Sequence, residues 1–259
     1  MIARTQELVS YRSLVRNLVA KDLKVRYKNS FLGFIWSLLN PLLMMVIYTV
    51  VFTRILPSGI DHFEVFIFTA LLPWNWCQRS LSLCATSLVD NSAIINKVYF
   101  PRILLPISAI ASEAVNFLLA LPALFLLMVI FGIPITPWVA YLPILMLIQA
   151  ILLVGLGLIL AALNVTFRDT GVILEVLLTA WFFLTPIFYN IQQIKPEAAP
   201  WVYRLNPMAS IIEQYRTILY KSARPDLLFD IRAAATALLI FAIGYVFFTR
   251  RTRRLGEHL

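Results

Sequence analysis

The chain has 259 residues, 61% of them hydrophobic and 14% charged, and a mean hydropathy of +0.83. A soluble domain is about 45–50% apolar and about 25% charged, so these proportions exclude a soluble enzyme, a disordered chain and a nucleic-acid binder, and leave an integral membrane protein. The formal charge of +9 is read as basic cytoplasmic loops facing anionic lipid head groups, with no nucleic-acid partner.

The first 30 residues hold seven basic side chains, Arg4, Arg12, Arg16, Lys21, Lys24, Arg26 and Lys28, against two acids, Glu7 and Asp22. No long apolar run interrupts them, so the segment does not read as a signal peptide. Leu8, Tyr11, Val15, Leu18 and Val19 recur at helical spacing, with Arg12, Arg16, Lys24 and Lys28 on another face. The pattern predicts an amphipathic helix on the membrane surface over residues 1–30.

A bilayer core of about 30 Å takes roughly 20 apolar residues as helix. Span one is expected over Phe31–Thr53, with Pro41 inside it. Span two runs over Val65–Val89 and carries Arg79, facing the protein interior or near an interface. Cys77 and Cys84 lie in this stretch and read as buried thiols. The uncharged run from Ala114 to Phe167 is too long for one helix, and Gly132-Ile-Pro-Ile-Thr-Pro137 breaks it. Span three is therefore expected over Ile103–Phe131 and span four over Trp138–Leu163. Span five is placed at Gly171–Asn190 and span six at Phe229–Thr249. Six crossings put both termini on one side. The basic N-terminus and Arg250, Arg251, Arg253 and Arg254 make that side cytoplasmic.

The segment 191–228 is predicted to lie outside although it carries Lys195, Arg204, Arg216, Lys221 and Arg224. Pro196 and Pro200 suit a helix start, Asn206-Pro207 punctuates, and Ile211, Ile212, Tyr215, Ile218 and Leu219 recur at helical spacing. The expected structure is a re-entrant pair of short helices at the outer face. The fold class is all-α: six transmembrane helices, an N-terminal interface helix and that hairpin.

Familiar catalytic patterns do not occur. There is no phosphate-binding G-x-x-x-x-G-K-[ST] run, and no His/Cys/Asp/Glu group at metal-ligand spacing. Glu113 and Glu175 are intramembrane or near-membrane acids, read either as structural groups or as a proton relay. Aromatic residues are dense: Trp36, Tyr48 and Phe52 in span one, Trp74 and Trp76 in span two, and Trp181, Phe182, Phe183, Phe188 and Tyr189 in span five. Interfacial belts account for some. Trp181 lies halfway along its span with Phe182 and Phe183 beside it. Aromatic faces inside a channel suit the C–H faces of sugar rings; core packing is the alternative for each residue.

Asn96-Lys-Val-Tyr-Phe-Pro-Arg102 resembles the cytoplasmic motif of the ABC-2 type permeases that export polysaccharides. So do Lys21-Asp-Leu-Lys-Val-Arg-Tyr-Lys28, Ser30-Phe-Leu-Gly-Phe-Ile-Trp-Ser37 with Asn40-Pro41, Phe167-Arg-Asp169, Leu184-Thr-Pro-Ile-Phe-Tyr189, and Asn206-Pro207 with Arg216. The resemblance implies a non-catalytic permease of the bacterial inner (cytoplasmic) membrane that works as a homodimer with two copies of a separate nucleotide-binding subunit. This chain would bind no cofactor, and ATP and Mg2+ would sit on the partner. Residues 31–259 would form the transmembrane domain. The loop 90–102 would dock on the ATPase, with Asn96, Lys97, Tyr99, Phe100, Pro101 and Arg102 as coupling residues. A lipid-linked glycan of the O-antigen, capsule or teichoic-acid type would pass between protomers along Trp36, Tyr48, Phe52, Trp181, Phe182 and Tyr189. Arg12, Arg16, Lys24 and Lys28 would face the lipid pyrophosphate. The alternatives are an ABC-2 exporter of a drug or small lipid, and a proton-coupled secondary transporter using Glu113 and Glu175.

Overall fold

The computed structural model describes residues 2–27, 35–95, 100–191 and 199–252, and among these the secondary structure is entirely helical. Helix α1 (Ile2–Tyr27) is followed by α2 (Ile35–Val50), which runs on into a π-helical turn, Val51–Ile55. Next come α3 (Phe63–Asp90), the single turn α4 (Ser92–Ile95), α5 (Leu104–Ile130) and α6 (Leu142–Thr166), the last entered through a 3-10 turn at Pro137–Tyr141. The chain ends with α7 (Thr170–Leu184), α8 (Ala199–Leu205), α9 (Pro207–Leu219) and α10 (Leu227–Thr252).

Four segments are long and apolar enough to cross a membrane: Leu38–Ile55, Leu104–Ile130, Pro137–Thr166 and Leu227–Thr252. They match predicted spans one, three, four and six. Predicted span two is α3, whose 28 residues give ~42 Å of helix at ~1.5 Å per residue, but whose polar residues dilute its hydropathy. Predicted span five is α7, only 15 residues long, or ~22 Å. It stops at Leu184 rather than Asn190, because Pro186 cannot donate to the helix and holds Thr185 extended, at φ −99° and ψ 134°.

The break after α5 is a Schellman motif. Gly132 takes φ +72°, its N–H bonds the Val129 carbonyl at 3.2 Å, and the Ile133 N–H bonds Met128 at 2.8 Å. Asn206 caps α9, accepting from the Ala209 N–H at 3.2 Å, with Pro207 pre-set at the first helical position.

The helices pack as one bundle in which α3 contacts α2, α5, α6, α7 and α9. At one end, Tyr220 donates to the Asp61 carbonyl at 2.7 Å and Ser222 to that of Pro134 at 2.6 Å, joining three loops. At the other end Lys21 donates to Asn91 Oδ1 at 2.8 Å and Arg102 to the Thr252 carbonyl at 3.3 Å. Helix α1 packs there through Leu18, which is buried with Leu88, Leu105, Leu158 and Phe248.

Helix α3 is the centre. Phe63, Val65, Ile67, Phe68, Cys77 and Cys84 along it are all fully enclosed. Polar atoms bridge it to its neighbours: Trp76 Nε1 donates to the Ile110 carbonyl at 3.2 Å, Cys84 Sγ to that of Pro106 at 3.4 Å, and Gln149 Nε2 to that of Pro73 at 2.8 Å. Such bonds matter where water is excluded. The outer faces of α7 and α10 stay apolar and exposed, with Val172, Val176, Ile231 and Leu239 more than 60% accessible, as suits lipid contact.

Small residues set the α6–α10 seam. A methyl group on Gly155 would lie 2.6 Å from the Phe241 backbone nitrogen, and one on Gly244 would overlap the Gly155 carbonyl. The two backbones touch, the geometry that glycine permits between membrane helices. Gly155→Ala is expected to cost about 1–3 kcal/mol through forced backbone shift, read as a lowered unfolding temperature in detergent. Gly171→Ala, where nothing lies within 4 Å, should stay within about 0.5 kcal/mol of the parent.

Candidate functional site: an aromatic and polar groove

A groove of about 690 Å³ opens between α2, α3 and α7. Side chains three and four apart share a helix face, and that rule builds each wall. Helix α2 supplies Asn40, Met44 and Tyr48, and α7 supplies Leu178, Thr179, Phe182 and Phe183. Helix α3 supplies Leu71, Trp74, Asn75, Gln78, Arg79, Ser82 and Leu83. Rings, amides and hydroxyls therefore alternate around one cavity.

The rings hold one another. Trp74 meets Trp181 edge-on at 5.7 Å and Phe182 at 5.6 Å, and Tyr48 lies 6.0 Å from Phe182. Phe188, beyond the end of α7, stacks on Phe52 at 5.2 Å and touches Tyr189 at 5.2 Å. Contacts of this kind contribute about 0.5–1.5 kcal/mol each, enough to keep the rings in place without freezing a ligand against them. Trp74 Nε1 also donates to Gln78 Oε1 at 3.2 Å.

Of the six aromatics expected in a channel, Tyr48 and Phe182 line the groove. Trp181 is half-buried and meets the enclosed Trp74 edge-on, its N–H on Asn206 Oδ1 at 2.8 Å. Phe52 and Tyr189 gather around Phe188 at the end of the groove away from α1. Trp36 is 45% exposed near the start of α2, and it is not among the groove's lining residues. Asn75, Gln78 and Arg79, none of them among the expected channel residues, line the groove beside the enclosed Trp74. Their signal was the helical spacing of polar residues in a stretch otherwise apolar.

Beneath the groove a small cavity brings Arg79 and Asn75 together with Glu113 and Asn116. Glu113 is 1% exposed, and its Oε2 accepts from Asn116 Nδ2 at 3.1 Å. Glu175, by contrast, is exposed on α7. Among the described residues, no three His, Cys, Asp or Glu side chains are grouped to hold a metal.

A clasp closes the end of the groove near Phe188. The buried guanidinium of Arg216 donates to the carbonyls of Pro186 and Ile187 and lies 3.6 Å over the Phe66 ring, a cation–π contact. The high basicity of a guanidinium keeps it charged even when buried. Asn206 Nδ2 donates to Thr185 Oγ1 at 2.9 Å and to the Leu184 carbonyl at 3.3 Å.

At the α1 end, Asn96, Lys97, Tyr99 and Lys28 lie outside the described residues. Phe100 packs against the Leu18–Leu105 cluster, Pro101 is half-buried, and Arg102 is bonded to the end of α10. Arg12, Arg16 and Lys24 are exposed on α1.

The ABC-2 type transporter family model matches residues 13–220. The chain is 40% identical over 254 residues to the O-antigen export system permease protein RfbA of Myxococcus xanthus, covering 97% of each. It is 33% identical over 240 residues to a protein of the same name from Klebsiella pneumoniae, covering 92% of each. With the polysialic acid transport protein KpsM of Escherichia coli the identity is 24% over 217 residues, 78% of this chain and 79% of the other.

Arg216→Met is expected to cost about 1–3 kcal/mol for each carbonyl left without a donor, measured by thermal unfolding in detergent. Arg216→Lys, which lacks the planar fork, should fall between Met and the parent; equal stability of all three would remove the clasp from the account.

Proposed function

Because the chain belongs to the ABC-2 type transporter family, we propose that it is the membrane-spanning subunit of an ATP-driven exporter of a lipid-linked polysaccharide, of the O-antigen, capsule or teichoic-acid class. The observation that carries the reading is the groove, on a chain alike end to end to a permease named for O-antigen export. Sugars present apolar C–H faces and a rim of hydroxyls. Tyr48 and Phe182 suit the faces; Asn40, Asn75, Gln78 and Ser82 suit the rims. Stacking is weak per ring, so a long chain slides and is not trapped.

In this reading α2, α3, α5, α6, α7 and α10 cross the bacterial cytoplasmic membrane, and α8 and α9 fold back from its outer side to complete the depth that the short α7 leaves. Both termini face the cytoplasm, where Arg250 and Arg251 close α10. The permease is a homodimer, and each groove is half of a shared path. Glu113, hydrogen-bonded in the interior, is structural.

A separate nucleotide-binding subunit, in two copies, holds ATP and Mg2+ and drives the cycle. It docks on the loop 90–102, where Asn96, Lys97 and Tyr99 make the contact. Phe100, Pro101 and Arg102 fasten the loop to the bundle, so a push on it reaches α10 and α3 as rigid-body movement. Arg12, Arg16, Lys24 and Lys28 on and after α1 attract the anionic head of the lipid carrier. Trp36, Phe52, Trp181 and Tyr189 extend the aromatic path beyond the groove.

The test is ATPase activity of the chain alone and co-purified with its ATP-binding subunit. Hydrolysis only in the complex, raised by lipid-linked glycan, is expected. Stimulation by small lipids or drugs but not glycan, or transport on a proton gradient without the subunit, overturns the reading. Within the complex, Phe182→Ala should slow export about two- to tenfold, the equivalent of one lost ring contact, measured as surface polymer per unit of assembled complex. Tyr99→Ala should lower recovery of the ATP-binding subunit on co-purification; full recovery would remove Tyr99 from the contact.

A further inference from the structure

A second cavity, of about 370 Å³, lies between α1, α3 and α5 at the Lys21 end of the bundle. It shares Leu83 with the groove, so the two cavities follow one another along α3. The α3 side chains facing this path include Asn75, Gln78, Ser82, Thr86 and Asp90. They are three or four residues apart throughout and form one line on one helix face. Gln78, Ser82 and Asp90 are exposed, and Asn75 and Thr86 are half-buried, while the rest of α3 is the most enclosed helix surface in the molecule. A polar line on the open side of an otherwise apolar helix is costly against lipid and is expected to face water or a polar ligand.

We infer that the line Asn75–Gln78–Ser82–Thr86–Asp90 is a hydrogen-bonding rail for a hydroxyl-rich polymer, leading it from the cavity beside α1 into the aromatic groove; this rests on the exporter reading. Successive members stand about 5–6 Å apart, close to the length of one pyranose unit in an extended glycan. Consecutive sugars therefore meet a hydrogen-bonding group at each step, and a one-unit advance exchanges one such bond for another. The amides and hydroxyls both donate and accept, and the Asp90 carboxylate at the α1 end accepts, so the rail serves sugars of differing stereochemistry. Each bond replaces one to water and is weak in net terms, which permits movement. The opposite wall of the groove, Tyr48 and Phe182, holds the sugar faces, so the two walls divide the ligand's chemistry between them.

The experiment uses the complex with its ATP-binding subunit, reconstituted in liposomes, and the lipid-linked glycan extracted from cells that make it. Cys77 and Cys84 are fully enclosed and stay dark to a water-soluble methanethiosulfonate reagent. Ser82→Cys and Thr86→Cys are expected to react with that reagent, and to react at least fivefold more slowly when the glycan is present at saturation. Leu238→Cys, on the apolar outer face of α10, is expected not to react. The triple change Gln78→Leu, Ser82→Ala, Thr86→Val should reduce export at least tenfold, and Thr86→Ser should retain it. Unchanged labelling of Ser82→Cys by a glycan that stimulates the complex's ATPase overturns the rail, as does export by the triple variant at the parent rate. A glycan that fails to stimulate the unaltered complex instead overturns the exporter reading, and the rail with it.

Discussion

The architecture turns on what becomes of the backbone carbonyls where α7 stops. A helix inside lipid satisfies its own peptide groups, and one that ends early does not. Pro186 ends α7 after 15 residues, and the freed carbonyls at positions 184, 186 and 187 are met by side chains of α9 and its cap, Asn206 and Arg216. A charged guanidinium is the donor suited to two carbonyls at once, and its high basicity keeps it charged despite burial. The same clasp positions Phe188 against Phe52 and Phe182, and through Asn206 it orients Trp181, which in turn supports Trp74. The end of the groove and its aromatic wall are thus consequences of one proline and the two side chains that answer it.

The second constraint is the composition of α3. A helix enclosed by α5, α6 and α9 is expected to be apolar all round. Here one face carries amides, hydroxyls and Arg79, and that face is the one left open toward α2 and α7. The bundle closes where α3 is apolar and stays open where it is polar, so the groove follows from patterning within a single helix.

Much of this was legible in the residues. Each of the six long apolar stretches is helical. Gly132 and the prolines after it broke the chain where expected, and Asn206-Pro207 separated α8 from α9 by the capping chemistry those residues are suited to. The length of α7 was not legible, because apolar residues continue to Asn190 and only the pre-proline geometry at Thr185 shows where the helix stops. The aromatic path was half legible. Tyr48 and Phe182 stand in the groove, while Trp181 lies beside it, half-buried against the enclosed Trp74: aromatic composition does not say which ring faces the opening.

What the sequence by itself determined is local: that the chain belongs in a membrane, where its helices begin and most of them end, and which motifs tie it to its family. These follow from apolar run lengths and from the backbone preferences of glycine, proline and asparagine, which act over a few residues. What only the tertiary structure decided is relational. Arg216 meets Pro186 across 30 positions, Tyr220 meets Asp61 across 159, and the polar face of α3 acquires meaning only once α2 and α7 stand opposite it. The reason is that helix periodicity defines which residues share a face but not what that face meets, and the partner is set by packing among helices distant in the chain.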